Sequence, residues 1–127
     1  MQLTLASQDG ILLATAAGRV SVKEVQHVFK NALDTATERG FDKILIDFLA
    51  VTGELSALDL YEIGKAMAEY CVMQSIYPKV AVIGKPPNVT GFGAEVASNR
   101  GLTSMTFSKR EPALNWLHAI GSKAPGL

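Results

Sequence analysis

The sequence predicts a single α/β domain: a mostly parallel five-stranded sheet entered through an N-terminal hairpin, in the order β-β-α-β-α-β-α-β-α. Three observations predict it. Short apolar runs alternate with longer stretches in which apolar residues recur at helical spacing. Three of those stretches open on a serine followed three residues later by an acid, the pattern of a capping box. Glycine or proline punctuates most of the junctions between runs.

Residues 2–6 alternate, with Leu3 and Leu5 on one parity and Gln2 and Thr4 on the other, as a half-buried strand does. Asp9-Gly10 then offers a turn tolerant of positive φ before the apolar run Ile11 to Ala17. The two runs read as an antiparallel hairpin. Gly18-Arg19-Val20 ends the second strand, and Ser21-Val22-Lys23-Glu24 opens a helix over residues 22–39. Val22, Val25, Val28, Phe29, Ala32, Leu33 and Ala36 follow at helical spacing, and Gly40 sits where a left-handed C-terminal cap belongs.

Lys43 to Phe48 is apolar on both parities apart from Asp47, the signature of a central parallel strand. A loop through Thr52-Gly53-Glu54 leads to a weaker capping box, Ser56-Ala57-Leu58-Asp59, and a helix carrying Leu60, Ile63, Met67 and Cys71 to the region of Gln74. Pro78 separates it from the strand Val80 to Ile83. A turn-rich stretch follows Gly84, then a short helix from about Phe92 to Arg100, closed by Gly101. Met105 and Phe107 alternate with Ser104 and Thr106 in an edge strand. Ser108-Lys109-Arg110-Glu111 is the third capping box, and its helix runs through a stripe of Leu114, Leu117 and Ile120 to stop at Gly121. The domain is therefore expected over 1–121, with 122–127 a flexible tail.

Right-handed crossovers that all step in one direction place every helix on one face. That predicts a bare opposite face with an apolar centre and a rim of Gln2, Thr4, Ser104 and Thr106. Such a surface marks an interface or a ligand site, most simply a homodimer contact.

Composition narrows the function classes. Apolar residues make up 48% of the 127 and charged residues 19%, the balance of a globular chain. Twelve basic and twelve acidic residues cancel without segregating, which argues against nucleic acid as a partner. The longest apolar stretch is far too short to span a bilayer. Met1 to Leu5 lacks the features of a secretory signal, and Cys71 is the one cysteine, so the expected location is the cytoplasm.

The order of elements resembles the SpoIIAA-like fold of STAS domains, the anti-sigma-factor antagonists. The local sequence is similar to a STAS-like bacterial family of unknown function. The matching residues are Gly18-Arg19-Val20-Ser21, Leu45-Ile46-Asp47, Ala97-Ser98-Asn99-Arg100-Gly101 and Ala113-Leu114-Asn115-Trp116-Leu117. The resemblance implies a non-enzymatic regulatory domain that binds a protein partner. It does not imply the phosphorylation switch of its sigma-factor members. Their Asp-Ser-Ser/Thr-Gly loop is replaced here by Val51-Thr52-Gly53-Glu54-Leu55-Ser56. The broader fold group is also compared with CRAL-TRIO lipid-transfer domains, whose sheet floors an apolar pocket. The alternative function is thus a carrier or sensor holding a lipid-like or other apolar small molecule on the open sheet face.

Candidate polar residues gather at one end of the sheet. Asp47 lies toward the carboxyl end of a central strand, where open α/β sheets place ligands. Thr52, Ser56, Lys85, Asn88 and Thr90 come from loops at that end, and helix starts there favour an anion. Arg100 joins the set through the Asn-Arg-Gly match. Each has a plainer role: Asp47 bonding loop amides, Ser56 capping a helix, Arg100 complementing a helix C-terminus. Thr90-Gly91-Phe92-Gly93 lacks the rest of a dinucleotide fingerprint, and Gly84-Lys85 lacks the upstream glycine of a P-loop. His27 and His118 have no paired-ligand spacing, so no metal is expected, and no cofactor. Cys71 extends a core stripe, and no catalytic residue is nominated.

Overall fold

A computed structural model describes residues 1–119; the expectations for Ile120, Gly121 and the tail 122–127 lie outside the described residues. The chain runs β1 (Gln2–Gln8), β2 (Ile11–Arg19), α1 (Val22–Arg39), β3 (Lys43–Thr52), α2 (Ala57–Gln74), β4 (Lys79–Ile83), α3 (Phe92–Asn99), β5 (Thr103–Phe107) and α4 (Arg110–His118). The five strands lie in the order β1-β2-β3-β4-β5. β1 pairs antiparallel with β2, and every other pair is parallel. Among the described residues no helix is long and apolar enough to cross a membrane.

Local chemistry accounts for these boundaries. Gln8 pairs with Ile11, leaving Asp9 and Gly10 as a two-residue turn with φ of 50° and 79°. That is the mirror-image geometry whose twist matches the flanking strands. α1 ends at Gly40 in the left-handed region, and the amide of Phe41 reaches back to the carbonyl of Ala36 at 2.7 Å. Of the three capping boxes, the weaker-looking one at Ser56 forms completely. Asp59 N–H donates to the Ser56 hydroxyl at 3.0 Å, and Ser56 N–H donates to the Asp59 carboxylate at 3.1 Å. Ser21 accepts from Glu24 N–H at 3.2 Å, but the Glu24 carboxylate pairs with the N-terminal ammonium at 3.1 Å instead of closing the box. The third box does not form. α4 begins one residue later than its pattern requires, so Lys109 holds the N-cap position without a side-chain cap bond.

The expectation that all four helices share one face is corrected. Leu12, Ala14, Ile44, Ile46, Val80 and Val82 join the cluster that includes buried residues of α1, α2 and α3. The opposite parity, Ile11, Leu13, Leu45, Ala81 and Ile83, packs with Ala113 and Leu117 of α4. The handedness rule governs crossovers between parallel strands, and α1, α2 and α3 are those crossovers. α4 follows the last strand and connects to no further one, so the rule does not bind it. It folds back under β3, β4 and β5, where both parities are apolar and need cover. Ala113 and Ala81, both 0% exposed, leave room for the approach. The bare central face expected as a homodimer contact is therefore occupied by the chain's own last helix.

The rim is corrected with it. Gln2 and Thr4 are exposed on the α4 face, but the polar parity of β5, Ser104 and Thr106, lies beside Val80 and Val82 on the face of α1, α2 and α3. Met105 and Phe107 turn toward α4, where the Phe107 and Trp116 rings sit 5.7 Å apart.

β3 also runs four residues past its expected end at Phe48. A register shift opposes Ala16 to both Phe48 and Leu49, a β-bulge that brings Val51 back to the buried side. Asp47 holds it, accepting from Leu49 N–H at 2.8 Å.

Candidate functional site

One space left by this packing is a cavity of about 70 Å³ on the face of α1, α2 and α3. Phe29 of α1, Phe48 of β3, Ile63 and Met67 of α2, and Ala97 of α3 supply apolar walls. The loop 84–91 contributes Asn88, Val89, Thr90 and Gly91. Ser104 and Thr106 of β5 give one side of the cavity a polar strip. Among the described residues that line it, none carries an ionisable side chain.

Two close approaches shape the space. A side chain at Gly64 of α2 would place its Cβ 2.4 Å from the Gly93 carbonyl of α3, so α2 and α3 touch through backbone there. A Cβ at Gly84 would fall 2.3 Å from the Val89 side chain, so Val89 rests directly on the end of β4. The loop folds back on itself through Val89 N–H donating to the Lys85 carbonyl at 2.9 Å. The Asn88 amide donates to the Gly53 carbonyl, which ties this loop to the one after β3.

Of the seven polar candidates, the fold brings Asn88 and Thr90 to the cavity. Thr90 also accepts from Phe92 N–H at 3.4 Å, helping to start α3. Asp47 points to the other face, where its second oxygen pairs with Arg110 of α4 at 3.2 Å. Thr52 is exposed, and its carbonyl accepts from Val20 N–H at 2.9 Å. Ser56 has its hydroxyl engaged as a cap. Lys85 is exposed at the start of the loop. Arg100 lies beyond the end of α3, where it donates to the Tyr61 hydroxyl at 2.9 Å and stacks its guanidinium 5.6 Å from that ring. No single polar cluster at the carboxyl edge assembles from this set.

Other groups singled out by chemistry serve the packing. Burial pushes the Cys71 thiol up to about 11 from its ordinary 9.0, so it is a neutral core side chain near pH 7. Gly91 and Gly93 of the Gly-x-Gly pair start α3 and pack it on Leu60. His27 and His118 are both exposed. Among the described residues no group of three His, Cys, Asp or Glu side chains comes together as metal ligands would.

The residues that composition and motif did not single out are the apolar walls, Phe29, Phe48, Met67 and Val89. One signal in the sequence points toward them: Gly64 interrupts the interior of α2, and a mid-helix glycine marks a close approach. No protein-family model matches the chain, and no curated protein matches it.

Proposed function

We propose that this chain is a non-enzymatic binding domain, of the STAS-like kind that its motifs resemble, and that it holds a small apolar molecule in the cavity beneath the 84–91 loop. The observation that carries this reading is a space walled by apolar side chains and bordered by a loop with its own fastenings, Val89 on Gly84 and Asn88 on Gly53. Pockets for small molecules are mostly apolar with a few placed polar groups. Asp47 is engaged with Leu49 and Arg110, Ser56 with Asp59, and Cys71 lies in the core. The ligand site thus moves from the open face anticipated by the sequence to the opposite side of the sheet. Its size sets a scale. An aliphatic cavity of about 150 Å³ admits a benzene ring, so a lipid chain would have to displace the loop.

Native mass spectrometry of the protein purified gently from its own host tests this reading. The expected result is a retained small molecule that leaves on denaturation. A bare chain mass, with the cavity inaccessible to any small apolar probe, would overturn it.

A second reading has its own observation. Val72, Met73 and Tyr77, at and just beyond the C-terminal end of α2, are 57%, 79% and 72% exposed. Large apolar side chains left this open support a protein partner, the mode that the STAS resemblance implies in a bacterial cytoplasm. A pull-down with wild type and a Met73→Glu, Tyr77→Glu variant separates the two: a stoichiometric partner lost in the variant favours this reading.

A further inference from the structure

The reading just given leaves the chemistry of the occupant open, and the cavity lining restricts it. Resting on that reading, we infer that the cavity selects an uncharged molecule: a short aliphatic group ending in a neutral hydrogen-bonding head, an alcohol or a primary amide.

The restriction follows from what lines the cavity and what does not. Its walls are apolar, and its polar side groups are Asn88, Thr90, Ser104 and Thr106. The Ser104 and Thr106 hydroxyls can each donate or accept, and Asn88 and Thr90 keep capacity beyond their bonds to Gly53 and Phe92, so the set suits a head that does both. No lining residue among those described supplies a formal charge. A carboxylate or an ammonium entering here would shed its hydration without a counter-ion to replace it, which disfavours the charged form.

One feature pulls the other way. Gly91, Gly93 and Ala94, at the start of α3, also line the cavity, and a helix N-terminus favours an anion. That contribution is modest and falls off within the first turn, and Glu95 in the same turn already answers it. The desolvation cost is larger, so charge loses. Volume sets the chain length. At about 70 Å³ the space is roughly half the 150 Å³ that holds a benzene ring, enough for roughly two or three carbons with the loop in place.

Three-carbon probes matched in shape test the inference: 1-propanol, propionamide, propionate and propylammonium. Each is titrated into the full chain while the methyl resonances of Ile63, Met67 and Val89 are followed by NMR. The expected result is saturable shifts at these methyls with the alcohol and the amide, and binding at least about tenfold weaker for both ions. Propionate or propylammonium binding as tightly as propionamide at the same methyls would overturn the charge selection and leave the cavity reading intact. No shift at those methyls with any of the four probes would overturn both.

Discussion

At Asp47 one carboxylate oxygen accepts from Leu49 N–H at 2.8 Å, and the other faces the Arg110 guanidinium at 3.2 Å. The two contacts differ in value. Leu49 sits in the bulge of β3, whereas the Arg110 side chain is 44% exposed and its ion pair is screened by water. Asp47→Asn should therefore cost less than about 1 kcal/mol, because a side-chain oxygen still meets the Leu49 amide. Asp47→Ala should cost about 1–3 kcal/mol, because that amide loses its partner. Denaturant titration of both variants separates the roles, and equal losses would count against the bulge as the main one. The two formed caps give a second comparison. Ser56→Ala and Ser21→Ala each remove one side-chain acceptor of a backbone N–H and should each cost about 1 kcal/mol, whereas the bond from the residue-56 N–H to the Asp59 carboxylate survives the first and is removed only by Asp59→Ala. Cys71 adds a pH dependence. Its folded pKa of about 11 lies above the ordinary 9.0, so the unfolded chain loses the thiol proton first as pH rises. Stability from this group is fully present below pH 9 and declines between 9 and 11. Thermal melts across that window should show a smaller decline in Cys71→Ala than in the wild type.

Among the elements, α2 and α3 make the tightest demand. Alanine is the better helix former by about 1 kcal/mol, so on propensity alone Gly64→Ala would stabilise α2. The added Cβ would lie 2.4 Å from a backbone carbonyl of α3 and 3.0 Å from Val96, and neither is the loose end of a flexible side chain. The net effect should be a loss of about 1–3 kcal/mol, read as a fall in the denaturation midpoint. A gain would mean that α3 moves aside freely. The same scale shows what could be read in advance. α1 was legible to the residue because Ser21, the stripe from Val25 to Ala36, and Gly40 all agree. β3 was legible only to Phe48, because the bulge at Phe48 and Leu49 reverses the parity that marks a buried strand. α2 ends at Gln74, as expected from the stripe and from Pro78 beyond it, although its cap is Ser75 in the left-handed conformation usually left to glycine.

For the molecule as a whole, the fold class was written in the order and periodicity of its elements, and the placement of α4 was not. A crossover rule fixes three helices and is silent about a fourth that follows the last strand. The one clue lay in β5. Its apolar parity, Met105 and Phe107, is the parity that faces α4, and it sides with Ala81 and Ile83, not with Val80 and Val82. The candidate site was legible in its turn-rich loop, which gave Asn88 and Thr90, and illegible in its walls. A cavity is a shortfall of volume among residues distant in sequence, and no local pattern records it. The central claim is that this shortfall is an accessible binding space on the face of α1, α2 and α3. Xenon is neutral, apolar and small enough to test it directly. A crystal pressurised with xenon should show an ordered atom between Phe48, Ile63 and Met67. Xenon absent from that position, or ordered only between α4 and the sheet, would contradict the account.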